Sequence, residues 1–173
     1  RRPRAATRLP TPAACRAGSG AAGRPPGRRG TRNGAAAAAE AAKLGVPWGV
    51  TRWCDLEGVA VGTAASRVID YCNNWHLAVA SAGYVPGLYV GYHAGLSATQ
   101  LYRSLRFTHY WGAYNLNSDQ APAVRGVQMR QARRGQQDSV PNAGFDFQVD
   151  TVRADALGGR PPLLALEGWP ELR

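Results

Sequence analysis

The sequence predicts an α/β fold, a parallel sheet covered by helices, and three observations carry that expectation. Strand-like and helix-like segments alternate through the first half of the body, in the order expected for parallel pairing. The central helical segment repeats its apolar residues at three- and four-residue steps, as a helix with one buried face does. The later connections, 115–125 and 132–144, are polar, carry Pro122 and Pro141 and show no helical period. The sheet is therefore expected to lose its helices toward the C-terminus, and the orientation of the last strands stays open.

The elements follow in order. Residues 1–33 hold nine arginines, no acid and Leu9 as their single large aliphatic residue, among five prolines and five glycines. Such a segment buries too little apolar surface to offset its ordering entropy, so it reads as a disordered basic tail before a domain starting at Gly34. Ala35–Leu44 reads as a helix, with Gly45 as its C′ residue. Gly49–Leu56 has strand character. A second helix is expected from an N-cap at Thr63 to Ala82, burying Val68, Tyr71, Cys72, Trp75 and Val79, with Gly83 closing it. Gly87–Tyr92 is the next strand and Ser97–Leu105 a shorter helix. Three further strands are expected at His109–Tyr114, Gly126–Gln131 and Phe145–Asp150, then a helical stretch over Val152–Leu157 and a loose end from 163.

Length and charge narrow the function. The chain of 173 residues suits one domain, and no apolar run is long enough to span a membrane. The formal charge of +10 is concentrated in the tail, because the remaining residues carry all 11 acids and balance to +1. No aromatic–basic interleaving accompanies that charge, so nucleic acid is not the expected partner. Three scattered histidines without paired-ligand spacing give no metal signature, and no cofactor is expected. Cys54 and Cys72 read as buried thiols. The first residue is Arg rather than Met, which suggests a fragment or processed product.

The stretch Trp53-Cys54-Asp55-Leu56-Glu57-Gly58 carries the chemistry. Alternation along a strand puts Thr51, Trp53, Asp55 and Glu57 on one face and Cys54 and Leu56 on the other. The two carboxylates lie about 6–7 Å apart at their Cα atoms, at the C-terminal end of a strand, where parallel α/β folds place their sites. Close like charges raise one of the two pKa values and so separate a proton donor from an ionised partner. That division of labour serves cleavage of glycosidic bonds. The plain alternative is a pair of acids at a strand end, solvated or paired with arginine.

These residues also belong to a longer pattern. Lys43-Leu44-Gly45-Val46-Pro47-Trp48-Gly49 through Asp55-Leu56-Glu57-Gly58 resembles the "LGxPxG…(D)xEG" segment of glycoside hydrolase-like domains of unknown function, the DUF1906 type, distant relatives of the family-25 lysozymes. Ala82-Gly83-Tyr84-Val85-Pro86-Gly87-Leu88-Tyr89-Val90-Gly91 is similar to their "AGYxPGxYxG" strand, and Tyr110-Trp111-Gly112-Ala113-Tyr114 to their "WxAxY" strand. Gly144-Phe145-Asp146-Phe147-Gln148 resembles their late "xDxN/D" strand. The resemblance covers residues 35–162 and begins at the helix before the Asp-Glu strand, so the family's first strands have no counterpart.

The resemblance implies a partial TIM-like (β/α) barrel with helix-poor C-terminal strands. It implies Glu57 as general acid, Asp55 as its acidic partner and Asp146 as a further carboxylate across the site. Gln131 matches the glutamine near a strand end. Tyr89 and His93, expected on one face of their strand, would line a sugar groove with Trp111, aromatic faces against pyranose rings. The implied ligand is a cell-wall polysaccharide of the peptidoglycan type, and the implied location is extracellular or wall-associated. A carbohydrate-binding module on the same scaffold without catalysis is the second reading.

Overall fold

The computed structural model describes residues 26–114, 127–131, 150–155 and 158–163. Their elements run α1 (Pro26–Lys43), β1 (Thr51–Leu56), α2 (Ala65–Ser81), β2 (Val85–Val90), α3 (Ala98–Arg103), β3 (His109–Gly112), β4 (Met129–Gln131) and β5 (Asp150–Val152). The strands form one sheet in the order β1-β2-β3-β4-β5. β1 to β4 are parallel and β5 runs antiparallel to β4. The expected α/β architecture is present, as a five-stranded row that does not close into a barrel among the described residues.

The first helix corrects the sequence reading. Residues 26–33, expected in the disordered tail, form the first two turns of α1. Proline fits the first turn of a helix, where its missing N–H has no partner to lose. The glycines that suggested disorder instead let α1 lie against α2. A Cβ at Gly30 would collide with the Tyr71 carbonyl, and one at Gly34 would come within 2.7 Å of the Trp75 carbonyl. Ala38 and Ala41 continue the same buried stripe, and Asn33 Nδ2 donates to the Tyr71 hydroxyl at 2.9 Å. The helix ends as expected at Gly45, where Gly45 N–H donates to Ala42 O and Val46 N–H to Ala41 O, the two bonds of a Schellman cap.

In α2 the buried residues are Val68, Tyr71, Cys72, Trp75 and Val79, the face that the periodicity marked. Its N-cap is Ala64 rather than Thr63, and no side chain caps it. Ser97 and Gln100 form a capping box at the start of α3. The core lies between α2 and the outer face of the sheet, where Cys54, Leu56, Leu88, Val90 and Tyr110 meet Val68, Cys72, Trp75, Val79 and Leu101. Cys54 and Cys72 remain thiols.

The last elements also differ from expectation. β5 is Asp150–Val152, and Val152 begins no helix: it is strand, and Asp155 pairs with Gly159 in an isolated bridge. Beneath the sheet, at the N-terminal ends of its strands, the chain then runs back toward β1. His109 Nε2 lies 2.9 Å from Gly158 O, and Thr51 N–H donates to Pro162 O at 2.7 Å.

Gln128, fully buried, joins this underside to the sheet. Its Oε1 accepts from Tyr110 N–H at 2.7 Å, and its Nε2 donates to Thr108 O at 2.7 Å and to Asp155 Oδ2 at 3.0 Å. The side-chain amide thus takes the place of a strand rung between β3 and the start of β4.

Candidate active site

The inner face of the sheet, opposite the helices, gathers the predicted residues. Asp55, Tyr89 and Trp111 are register partners across β1, β2 and β3, so their side chains stand side by side on this face. Trp53 precedes Asp55 by two residues and shares its face. Gln131 and Asp150 pair across β4 and β5.

Two glycines of the β2 region make the arrangement possible. The Trp53 ring lies over Gly87, and the Glu57 carboxylate lies over Gly91; a Cβ at either glycine would collide with the side chain above it. The three aromatic rings then meet edge to face. Trp111 contacts Tyr89 at 4.9 Å between centroids and Trp53 at 5.6 Å, with interplanar angles of 78° and 68°.

Hydrogen bonds orient this row. The Tyr89 hydroxyl donates to Gln131 Oε1 at 3.3 Å, and Tyr114 N–H donates to the same oxygen at 3.3 Å. Trp111 Nε1–H donates to Asp150 Oδ1 at 2.9 Å.

The electrostatics single out Asp55. Burial, and then the charge of Glu57, push its carboxyl up from 3.8 to about 6. Its Oδ1 is buried and has no hydrogen-bond partner among the described residues. Burial and the neighbouring carboxylates hold Tyr89 well above the usual phenol range, so its hydroxyl stays a donor. Burial also raises Asp150, against the opposing effect of the Trp111 bond. Asp55 therefore keeps its proton into mildly acid solution.

His93 has a different setting from the one its spacing suggested. β2 ends at Val90, and the chain turns before His93, which has a left-handed backbone (φ 54°). Its exposed ring packs on Tyr92 at 3.9 Å, on the rim rather than in the inner-face row. Gly58 N–H and Val59 N–H, just after Glu57, donate to Tyr92 O and His93 O at 2.8 and 2.9 Å and tie the two rim loops together. Asp146 lies outside the described residues.

Four contributors escaped the sequence reading. Trp53 was on the expected face, but nothing in its pattern gave it a role. Gly87 and Gly91 read as parts of a motif, while the structure shows what each makes room for, the Trp53 ring and the Glu57 carboxylate. Asp150 was expected at the end of a strand over 145–150, of which 145–149 lie outside the described residues; it stands in β5 with its carboxylate bonded to the Trp111 indole. Among the described residues no three His, Cys, Asp or Glu side chains converge as metal ligands, and no helix is long and apolar enough to cross a membrane.

No curated protein and no solved structure matches the chain. A family model does match, that of the Rv2525c-like, glycoside hydrolase-like domain, over residues 15–152. The match spans α1 to β5, including the Asp55–Glu57 strand and every aromatic residue of the inner face. By that match the chain belongs to the Rv2525c-like family of glycoside hydrolase-like domains.

Proposed function

We propose that this domain hydrolyses a cell-wall polysaccharide of the peptidoglycan type, outside the cell, with Asp55 and Glu57 as its acid pair. The observation that carries the reading is the setting of Asp55. Its carboxyl is half-buried, pushed up to about 6 beside Glu57, and faces the same side as Trp53, Tyr89 and Trp111. A carboxyl that keeps its proton into mildly acid solution suits protonation of a leaving glycosidic oxygen.

In this reading Glu57, beyond the end of β1, faces the scissile bond, and Asp55 lies one strand step behind it. The proton held by Asp55 reaches the glycosidic oxygen through Glu57. The bond from the anomeric carbon to that oxygen breaks with its electron pair on the oxygen, the carboxylates stabilise the positive charge developing on the ring, and water then adds to the carbon and returns a proton to the pair. The tryptophan and tyrosine rings supply apolar surface for the faces of the pyranose units. Asp146 is the further carboxylate that the family pattern adds to this set.

Glu57→Gln tests the catalytic reading. It keeps the size and polarity of the side chain but cannot relay a proton. Release of reducing ends from purified peptidoglycan should fall by at least about a hundredfold, in the range that a general acid contributes. Equal release by variant and parent would remove the enzymatic claim. The aromatic row supports sugar contact whether or not cleavage occurs, so glycan binding without turnover by the parent would favour a wall-binding module.

A further inference from the structure

A tryptophan at the border of a groove has two requirements. Its N–H needs an acceptor, and its ring must be kept from turning if a ligand is to lie on it. Trp111 on β3 meets the first through a carboxylate two strands away, on β5. β4 lies between them in the sheet, and β5 is the strand that reverses direction. The bond therefore crosses the inner face from the parallel part of the sheet to its antiparallel end. Tyr89 and Trp53 each touch Trp111 edge to face, and these contacts leave rotation about the ring's own bond opposed only by packing. The bond from Nε1 to Asp150 Oδ1 fixes that rotation.

We propose that Asp150 is a positioning residue for glycan binding: through its bond to Nε1 it holds the Trp111 indole as a fixed platform for one pyranose ring. This rests on the glycan reading above. A neutral amide in place of the carboxylate keeps an acceptor oxygen, and a leucine removes it at similar volume.

The test uses the full chain in the Glu57→Gln background, so that no turnover intervenes, with the hexamer of β-1,4-linked N-acetylglucosamine as probe. Two quantities are measured: the hexamer's Kd by calorimetry, and the indole N–H resonance of Trp111, identified by its loss in Trp111→Phe. In Asp150→Leu the resonance should shift and broaden and Kd should rise about fivefold to tenfold, the scale of one lost aromatic contact. Asp150→Asn should keep Kd within about twofold and the resonance in place. Trp111→Phe removes the same bond from its other end, and adding Asp150→Leu to it should change Kd by less than about twofold.

A Kd unchanged in Asp150→Leu, or a full independent loss in the Trp111→Phe background, would overturn the proposal. If Asp150→Leu does not fold, Asp150→Asn decides: weakened binding with the indole still in place would show that the charge and not the hold on Trp111 matters. A parent that does not bind the hexamer overturns the glycan reading and this role together, whereas a parent that binds and an Asp150→Leu variant that binds equally well overturns the role alone.

Discussion

On the proposed reading, Asp55 carries opposite consequences for catalysis and for stability, and both are readable in pH. Its carboxyl sits at about 6 in the folded chain against an ordinary 3.8, so the folded state takes up its proton more readily than the unfolded one. Its contribution to stability is fully present below pH 4, declines as pH rises toward 6 and is absent above that. Asp55→Asn should abolish the decline. Chemical denaturation should find the variant more stable than the parent by about 1 kcal/mol at pH 7.5, allowing for the solvent around a half-buried group, and equal to it at pH 3.5. The same substitution removes the proton that the pair holds. Hydrolysis by the parent should accordingly fall as pH rises through about 6, and Asp55→Asn should be nearly inactive on both sides of that value. A variant with the parent's stability slope would show that the charge of Asp55 is matched elsewhere.

At the scale of elements, the pairing of α1 with α2 depends on glycines for which no side chain could substitute. Gly30→Ala gains about 1 kcal/mol of helix propensity but forces a methyl onto the Tyr71 carbonyl, which is backbone and cannot yield. A net loss of about 1–3 kcal/mol in the denaturant midpoint is expected. Gly27→Ala is the contrast, because its methyl would meet only the Asn74 side chain, at 2.9 Å from Nδ2, and that side chain can move. It should be neutral or stabilising. These helices also show what a sequence reveals and what it hides. The face of α2 was legible because Val68, Tyr71, Cys72, Trp75 and Val79 repeat at helical spacing. The first turns of α1 were not, since glycine's low propensity signals a break unless the surface it meets is known. The acid pair and its shared face followed from strand alternation alone. The turn at His93 did not, because it depends on bonds from Gly58 and Val59 on another loop. The role of Asp150 was hidden because its partner, Trp111, lies two strands away in the sheet and 39 residues away in the chain.

Across the whole molecule, the underside does what the short late strands cannot do by themselves. Gln128 satisfies Tyr110 N–H, Thr108 O and Asp155 in one side chain, and Asp155 in turn accepts from Gly158 N–H at 2.8 Å. Gln128→Leu has nearly the same volume but removes all three of these bonds at once and puts an apolar side chain against the Tyr110 N–H. It should cost about 2–4 kcal/mol, measured by thermal or denaturant unfolding, more than a surface change of any kind. Hydrogen exchange at the Thr51 amide offers a further check. Its bond to Pro162 O should give it slow exchange in the parent, and the Gln128→Leu variant should release it together with the amide of Tyr110.

The reversal of β5 has a consequence for how related chains can vary. Asp55 reaches the inner face as its strand leaves the sheet, whereas Asp150 reaches it as its strand enters. Changes at the C-terminal end of β1 and at the first residue of β5 therefore both bear on the inner-face row, while changes after β5 bear on the underside of the sheet. Related chains whose inner faces meet different ligands would vary at the first two places and hold the third constant.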